Sequence, residues 1–152
     1  MKLDNKQILE YQQNKPPYLM IDCAEEVVPG ESARGYKDLN NDEWFFKVHW
    51  PNDPNMPGML QIESLVQMSA LAILCLPDNK GKIMYLTSAT NIKFIKKIVP
   101  GDRFYIDTKI KSYKRGVASC EGSGFVKKKI VCKAEFHLIL PEEIKKYTLS
   151  NR

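Results

Sequence analysis

The stretch MLQIESLVQMSALAILCL, Met59 to Leu76, decides the fold. Wound as a helix, it places apolar residues on nearly every face: Met59, Leu60, Ile62, Leu65, Val66, Met68, Ala70, Leu71, Ile73 and Leu74. A helix that is apolar all round is buried, and one of this length runs roughly 27 Å, about the width of a small domain. Pro77-Asp78-Asn79-Lys80-Gly81 closes it with turn residues. Gln61, Glu63, Ser64, Gln67 and Ser69 interrupt the run, so it is too polar to span a membrane. Glu63 is the odd member, because a carboxylate on so apolar a helix must reach solvent, find a partner or take up a proton.

Outward from this helix the chain reads as extended. KIMYLTSATNIKFIKKIV, DRFYIDTKIKSYK, VASCEGSGFV and IVCKAEFHLIL are rich in β-branched and aromatic residues. Turn signals separate them at Pro100-Gly101-Asp102, Arg115-Gly116 and Lys127-Lys128-Lys129, and such short connections favour antiparallel pairing. Before the helix, Asp4 to Gln13 predicts a short capped helix that ends at Pro16-Pro17. YLMIDCAEEVV, SARGYKDL and EWFFKVHW then predict three extended segments, with Asn40-Asn41-Asp42 as a turn. The expectation is one α+β domain over residues 1–152, a long central helix wrapped by a curved antiparallel β-sheet.

Composition bounds the function. With 43% hydrophobic and 27% charged residues, the 152-residue chain reads as globular. MKLDNKQILEYQQ lacks the apolar block of a signal peptide, so a cytoplasmic protein with no membrane segment is expected. Cys23, Cys75, Cys120 and Cys132 have no metal-ligand spacing, which predicts reduced core thiols and no metal. Charge is lopsided: residues 1–75 hold 6 basic and 11 acidic side chains, residues 76–152 hold 17 and 7. The basic second half suits an anionic partner. Nucleic acid is not expected, since no helix-turn-helix, zinc-finger or RNP-type motif accompanies it.

The segment HWPNDPNMPGMLQIESLVQ, His49 to Gln67, gathers chemistry. Pro51, Pro54 and Pro57 stiffen the approach and hold His49 on a restricted loop. Gly58 opens the helix, where backbone N–H groups lack intrahelical partners and can hydrogen-bond a developing oxyanion. Glu63 follows on the second turn, with Gln67 four residues later on the same face. Taken singly, each of these residues has an ordinary structural reading. A base, an oxyanion donor and a protonated carboxyl are together the parts that abstract a proton beside a carbonyl and expel a β-hydroxyl as water. The remaining histidine, His137, reads as structural or solvent-facing.

HWPNDPNMPGMLQIESLVQ resembles the H-(F/Y)-P-G-x-P-x-M-P-G-x-L-x-x-E-x-x-x-Q signature of the 3-hydroxyacyl-acyl-carrier-protein dehydratases, hot-dog-fold enzymes of bacterial fatty acid synthesis. The likeness extends over about residues 8 to 140, through ILEYQQNKPPYLMID, NDEWFFKVHW and NIKFIKKIVPGDRF. It implies that His49 takes the α-proton and Glu63 assists departure of the β-hydroxyl. It also implies that the Gly58 N–H polarises the thioester carbonyl and that Gln67 supports Glu63. No metal or redox cofactor is implied. The histidine and glutamate of one such site come from two subunits, so a homodimer is implied, often assembled as a trimer of dimers. The substrate rides the phosphopantetheine arm of acyl carrier protein, an acidic partner, for which Lys93, Lys96, Lys97 and Arg103 are the candidate docking residues.

Departures from the signature bear on substrate. Asn52 stands where the family has glycine, and asparagine tolerates the positive φ such a turn would need. Ser64 and Val66 replace smaller residues, and Ala89-Thr90 stand where Ile-Asp is frequent. These leave room for a specialised paralogue acting on a secondary-pathway thioester. A thioesterase is disfavoured by the His49-to-Glu63 spacing. A non-catalytic acyl-binding hot-dog protein would be expected to lack His49 or Glu63.

Overall fold

The structure, a computed structural model, describes residues 1–149. The elements run α1 (Asn5–Tyr11), β1 (Cys23–Val28), β2 (Ser32–Asp38), α2 (Trp44–Val48), α3 (Gly58–Leu74), β3 (Tyr85–Phe94), β4 (Arg103–Lys114), β5 (Val117–Val126), β6 (Lys129–Ile139) and α4 (Pro141–Leu149). The six strands form one antiparallel sheet in the order β1-β2-β4-β5-β6-β3. Helix α3 lies in the hollow of the sheet, so the expected α+β architecture is the one observed.

Period-two alternation builds the sheet face that meets α3. Phe104, Ile106, Thr108 and Ile110 of β4 point inward, as do Ala118 and Cys120 of β5 and Cys132, Ala134, Phe136 and Leu138 of β6. Gly122 lets the helix approach closely, since a Cβ there would sit 3.2 Å from the Leu65 Cβ and from the Thr108 methyl. The hairpin turns Arg115-Gly116 and Lys127-Lys128 all take positive φ, the backbone that matches strand twist in tight hairpins. Asp4 caps α1 with a reciprocal capping box through Gln7. Cys23, Cys75, Cys120 and Cys132 are all free thiols, and burial pushes Cys120 and Cys132 up to about 12.

Two expectations need correction. EWFFKVHW is not extended, because Trp44–Val48 forms a helix. Phe45 and Phe46 are both buried and packed edge to face at 4.8 Å, whereas neighbours in a strand point to opposite faces. Tyr18 to Asp22 is also no strand: its backbone crosses α3 and bonds to a side chain of that helix. Pro141–Leu149, outside the segments expected from the sequence, forms α4 with no buried residue. Among the described residues, no helix is long and apolar enough to cross a membrane.

Candidate active site

Glu63 is the one residue not buried beyond the first turn of α3: from Gln61 to Leu74 every other residue is buried. Its carboxylate accepts a hydrogen bond from Gln67 Nε2 at 2.9 Å, and no cation faces it among the described residues. Burial therefore raises its pKa, and the Gln67 bond only partly opposes this. The carboxyl is held toward its protonated, proton-donating form.

Gln67 is itself fixed on several sides. Its Nε2 also donates to the Tyr18 carbonyl at 2.9 Å, and its Oε1 accepts the Met20 N–H at 2.7 Å. Its backbone carbonyl accepts from the Gln12 side chain. The strap Tyr18–Asp22 thus grips the residue that grips Glu63. Tyr18, half-exposed at the same place, has its phenol pKa raised by burial and then by Glu63. Tyr18 lies in the family-like PPYLMID segment, but the linear sequence gives no sign that it meets the carboxyl, since tertiary packing alone brings it there.

His49 is the C-cap of α2, its backbone N–H bonded to the Phe45 carbonyl at 2.8 Å. Its Nδ1 lies 3.0 Å from the Asn55 carbonyl oxygen. A carbonyl can only accept, so Nδ1 carries the hydrogen, and in the neutral ring the lone pair is on Nε2. Asn55 was not anticipated, though it stands in the proline-stiffened loop. The loop is anchored at Met56, whose N–H donates to the Ile98 carbonyl at 2.8 Å, and by the Lys97–Asp53 ion pair. Its left-handed residue is Trp50, φ 56°, and not Asn52. The Asp53 N–H bonds the Trp50 carbonyl at 2.8 Å, closing a turn with Pro51 at its second position, where asparagine in third place needs no positive φ.

Gly58 begins α3, with its N–H among the orphan donors of the first turn. A Cβ at this position would lie 2.7 Å from the Phe94 ring, so no larger residue fits as the chain stands. A groove of about 560 Å³ opens here, lined by Asn55, Met56, Gly58, Met59, Gln61 and Phe94, with Lys96 and Lys97 beside them. Neither His49 nor Glu63 lines it, and the two share no hydrogen bond. The structure therefore joins Glu63 to Gln67 within one chain and leaves His49 apart.

Of the four candidate docking cations, Lys93 and Lys96 are exposed and in no ion pair among the described residues. Lys97 is paired with Asp53. Arg103 makes two bonds to Asp38, at 2.6 and 2.9 Å, and lies over the Tyr36 ring at 3.9 Å. His137 is remote from the site, exposed on the outer face of β6 with Nδ1 3.0 Å from Ser88 Oγ. Among the described residues, no group of His, Cys, Asp and Glu could hold a metal ion.

The family model of the FabA-like domain matches residues 13–135, which takes in the whole site. The chain belongs to the FabA-like family. Among curated relatives of this FabA-like chain is the 3-hydroxyacyl-[acyl-carrier-protein] dehydratase FabZ of Clostridium novyi (strain NT). It is 38% identical over 137 residues, covering 86% of this chain and 96% of the relative. The FabZ of Bacillus subtilis (strain 168) is 34% identical over 140 residues, covering 92% and 99%. Of solved structures, the dehydratase heterocomplex ApeI:P from Xenorhabdus doucetiae matches with a TM-score of 0.78 at 12% identity, covering 95% of this chain and 97% of that one. The architecture is the hot-dog fold.

Proposed function

We propose that this FabA-like chain is a hydro-lyase that converts a (3R)-3-hydroxyacyl thioester on acyl carrier protein to the trans-2-enoyl thioester. The observation that carries the reading is Glu63, a carboxyl biased toward protonation at the single gap in the buried stretch Gln61 to Leu74 of α3. His49, with a proton fixed on Nδ1, presents the matching base at Nε2. In the reaction, Nε2 takes the α-proton, and the Gly58 N–H hydrogen-bonds the carbonyl oxygen as negative charge builds there. The electron pair of the broken C–H bond forms the double bond and expels the β-hydroxyl. That oxygen takes its proton from Glu63 and leaves as water. Transfer of the His49 proton back to Glu63 restores both groups.

The separate settings of His49 and Glu63 support a site composed from two copies, the histidine of one facing the glutamate of the other. Among the described residues the outer edge of β3 is unpaired, and Tyr85, Leu86 and Phe94 on that strand are exposed, as a homodimer joined along β3 requires. An acidic carrier protein would meet Lys93 and Lys96, and the phosphopantetheine arm would bring the thioester to Gly58.

Absorbance of the enoyl thioester, followed with a 3-hydroxybutyryl or crotonyl carrier-protein substrate, tests the reading. The wild type is expected to interconvert the two forms. His49→Ala and Glu63→Gln, still folded dimers, should each lose about 10²- to 10⁴-fold in rate, the usual range for a general acid or base. A wild type inert toward several chain lengths would refute the dehydratase reading.

A further inference from the structure

Lys37 is 5% exposed, deeper than any other charged side chain of the described core. It follows Ala33 and Gly35 on the inward face of β2. A lysine is seldom found at this depth without partners. Its ammonium has two: Glu43 Oε1 at 3.1 Å and Asp22 Oδ1 at 3.8 Å. The second oxygen of Asp22, Oδ2, accepts the Asp38 N–H at 2.8 Å, which ties the same carboxylate back to β2.

Each carboxylate stands at the root of a different half of the site. Glu43 is the N-cap residue of α2, and its carbonyl accepts the Phe46 N–H at 3.1 Å. Five helical residues later the chain reaches His49. A helix this short does not hold itself in water, so its position comes from what grips its ends and from buried Phe45 and Phe46. Glu43 has no side-chain capping bond of its own, so Lys37 holds its carboxylate, beside the Glu43 N–H bond to the Asn40 carbonyl at 3.1 Å and the Trp44 Nε1 bond to the Pro17 carbonyl at 3.3 Å. Asp22, for its part, ends the strap whose Tyr18 carbonyl and Met20 N–H hold Gln67, and Gln67 holds Glu63.

We infer that Lys37 is a positioning residue for both groups this chain contributes to catalysis, its one ammonium fixing where α2 delivers His49 and where the strap holds Gln67 against Glu63. The inference rests on the reading of His49 and Glu63 as the working pair. Lys37 touches neither residue and takes no proton in the reaction; it acts through Glu43 and Asp22. Placement matters at this scale because an error of about 1 Å in a reacting group can lower a rate about 100-fold.

The test is Lys37→Met in the full chain. Where that variant does not fold, Lys37→Met/Glu43→Gln takes its place, since it leaves no unpaired carboxylate on α2. Val131→Ala, a core truncation on β6, is the control for lost stability alone. Two readouts are taken: kcat and KM with the carrier-protein substrate, and the ¹⁵N shifts of the His49 ring, which report the hydrogen on Nδ1. The expected result is a kcat lower by roughly 10- to 100-fold with KM little changed. The His49 ring should lose its fixed Nδ1–H signature, while Val131→Ala keeps both kcat and signature. A folded Lys37 variant with wild-type kcat overturns the inference, and so does an equal loss of kcat in Val131→Ala. If the wild type itself is inert, the dehydratase reading fails separately, and the ring signature alone decides the role of Lys37: moved in the variant, it stands; unmoved, it falls.

Discussion

Helix α3 and strand β3 are both rich in apolar side chains, yet they meet opposite fates. Between Gln61 and Leu74 the helix buries everything but Glu63, while β3 has no buried residue along its whole length. The helix lies where β1, β2, β4, β5 and β6 can close around it. The strand is the last of the sheet, bonded to β6 on one side and, among the described residues, to no strand on the other. The difference teaches that apolar composition becomes core where the chain returns to cover it and stays exposed where the sheet ends.

Leu71→Ala probes the enclosed side of the contrast. Leu71 is fully buried, and its truncation is expected to cost about 2–5 kcal/mol, read as a fall in the urea midpoint at unchanged slope. A loss well under that range would mean that α3 is not the spine of the core. Tyr85→Asp probes the open side, since it sets a charge among the exposed apolar residues of β3. Sedimentation should show at least about a tenfold weaker dimer, near 1.4 kcal/mol. At equal protein concentration the Tm of this variant should fall below that of the wild type. A wild type that sediments as a monomer at all concentrations would break the comparison outright.

The smallest expected effect sharpens the exception within α3. Burial raises the pKa of Glu63 above its unfolded value, so folding favours the neutral carboxyl. Stability from that preference is present at low pH and lost as pH rises through the folded pKa, where the wild type must bury a carboxylate. Glu63→Gln carries no such charge and still offers an oxygen to Gln67. It should melt a little higher than the wild type near pH 8, with the difference closing by about pH 4. An equal Tm difference at both pH values would show that the helix carries Glu63 without electrostatic cost.

Much of this was legible in one dimension because it depends on local pattern. The all-round apolar run of α3, the alternation of β4 to β6 and the glycine turns all announce themselves within a few residues. His49, Gly58, Glu63 and Gln67 were legible because they share one stretch with fixed spacing. Trp44–Val48 was misread because aromatic residues favour strands in general, and only the burial of both Phe45 and Phe46 forces a helix. Tyr18, Asn55 and Lys37 were silent for a different reason. Each gains its role from a partner distant in sequence or from a backbone atom, such as Gln67 for Tyr18 or Asp22 and Glu43 for Lys37.

The placement of Lys37 has a consequence for communication within the assembly. In a site composed from two subunits, the His49 and Glu63 of one chain serve different sites. A single ammonium that steadies both therefore links one half of each site, not two halves of one. The two sites of a dimer would then share mechanical support, and a disturbance at one Lys37 would be felt at both.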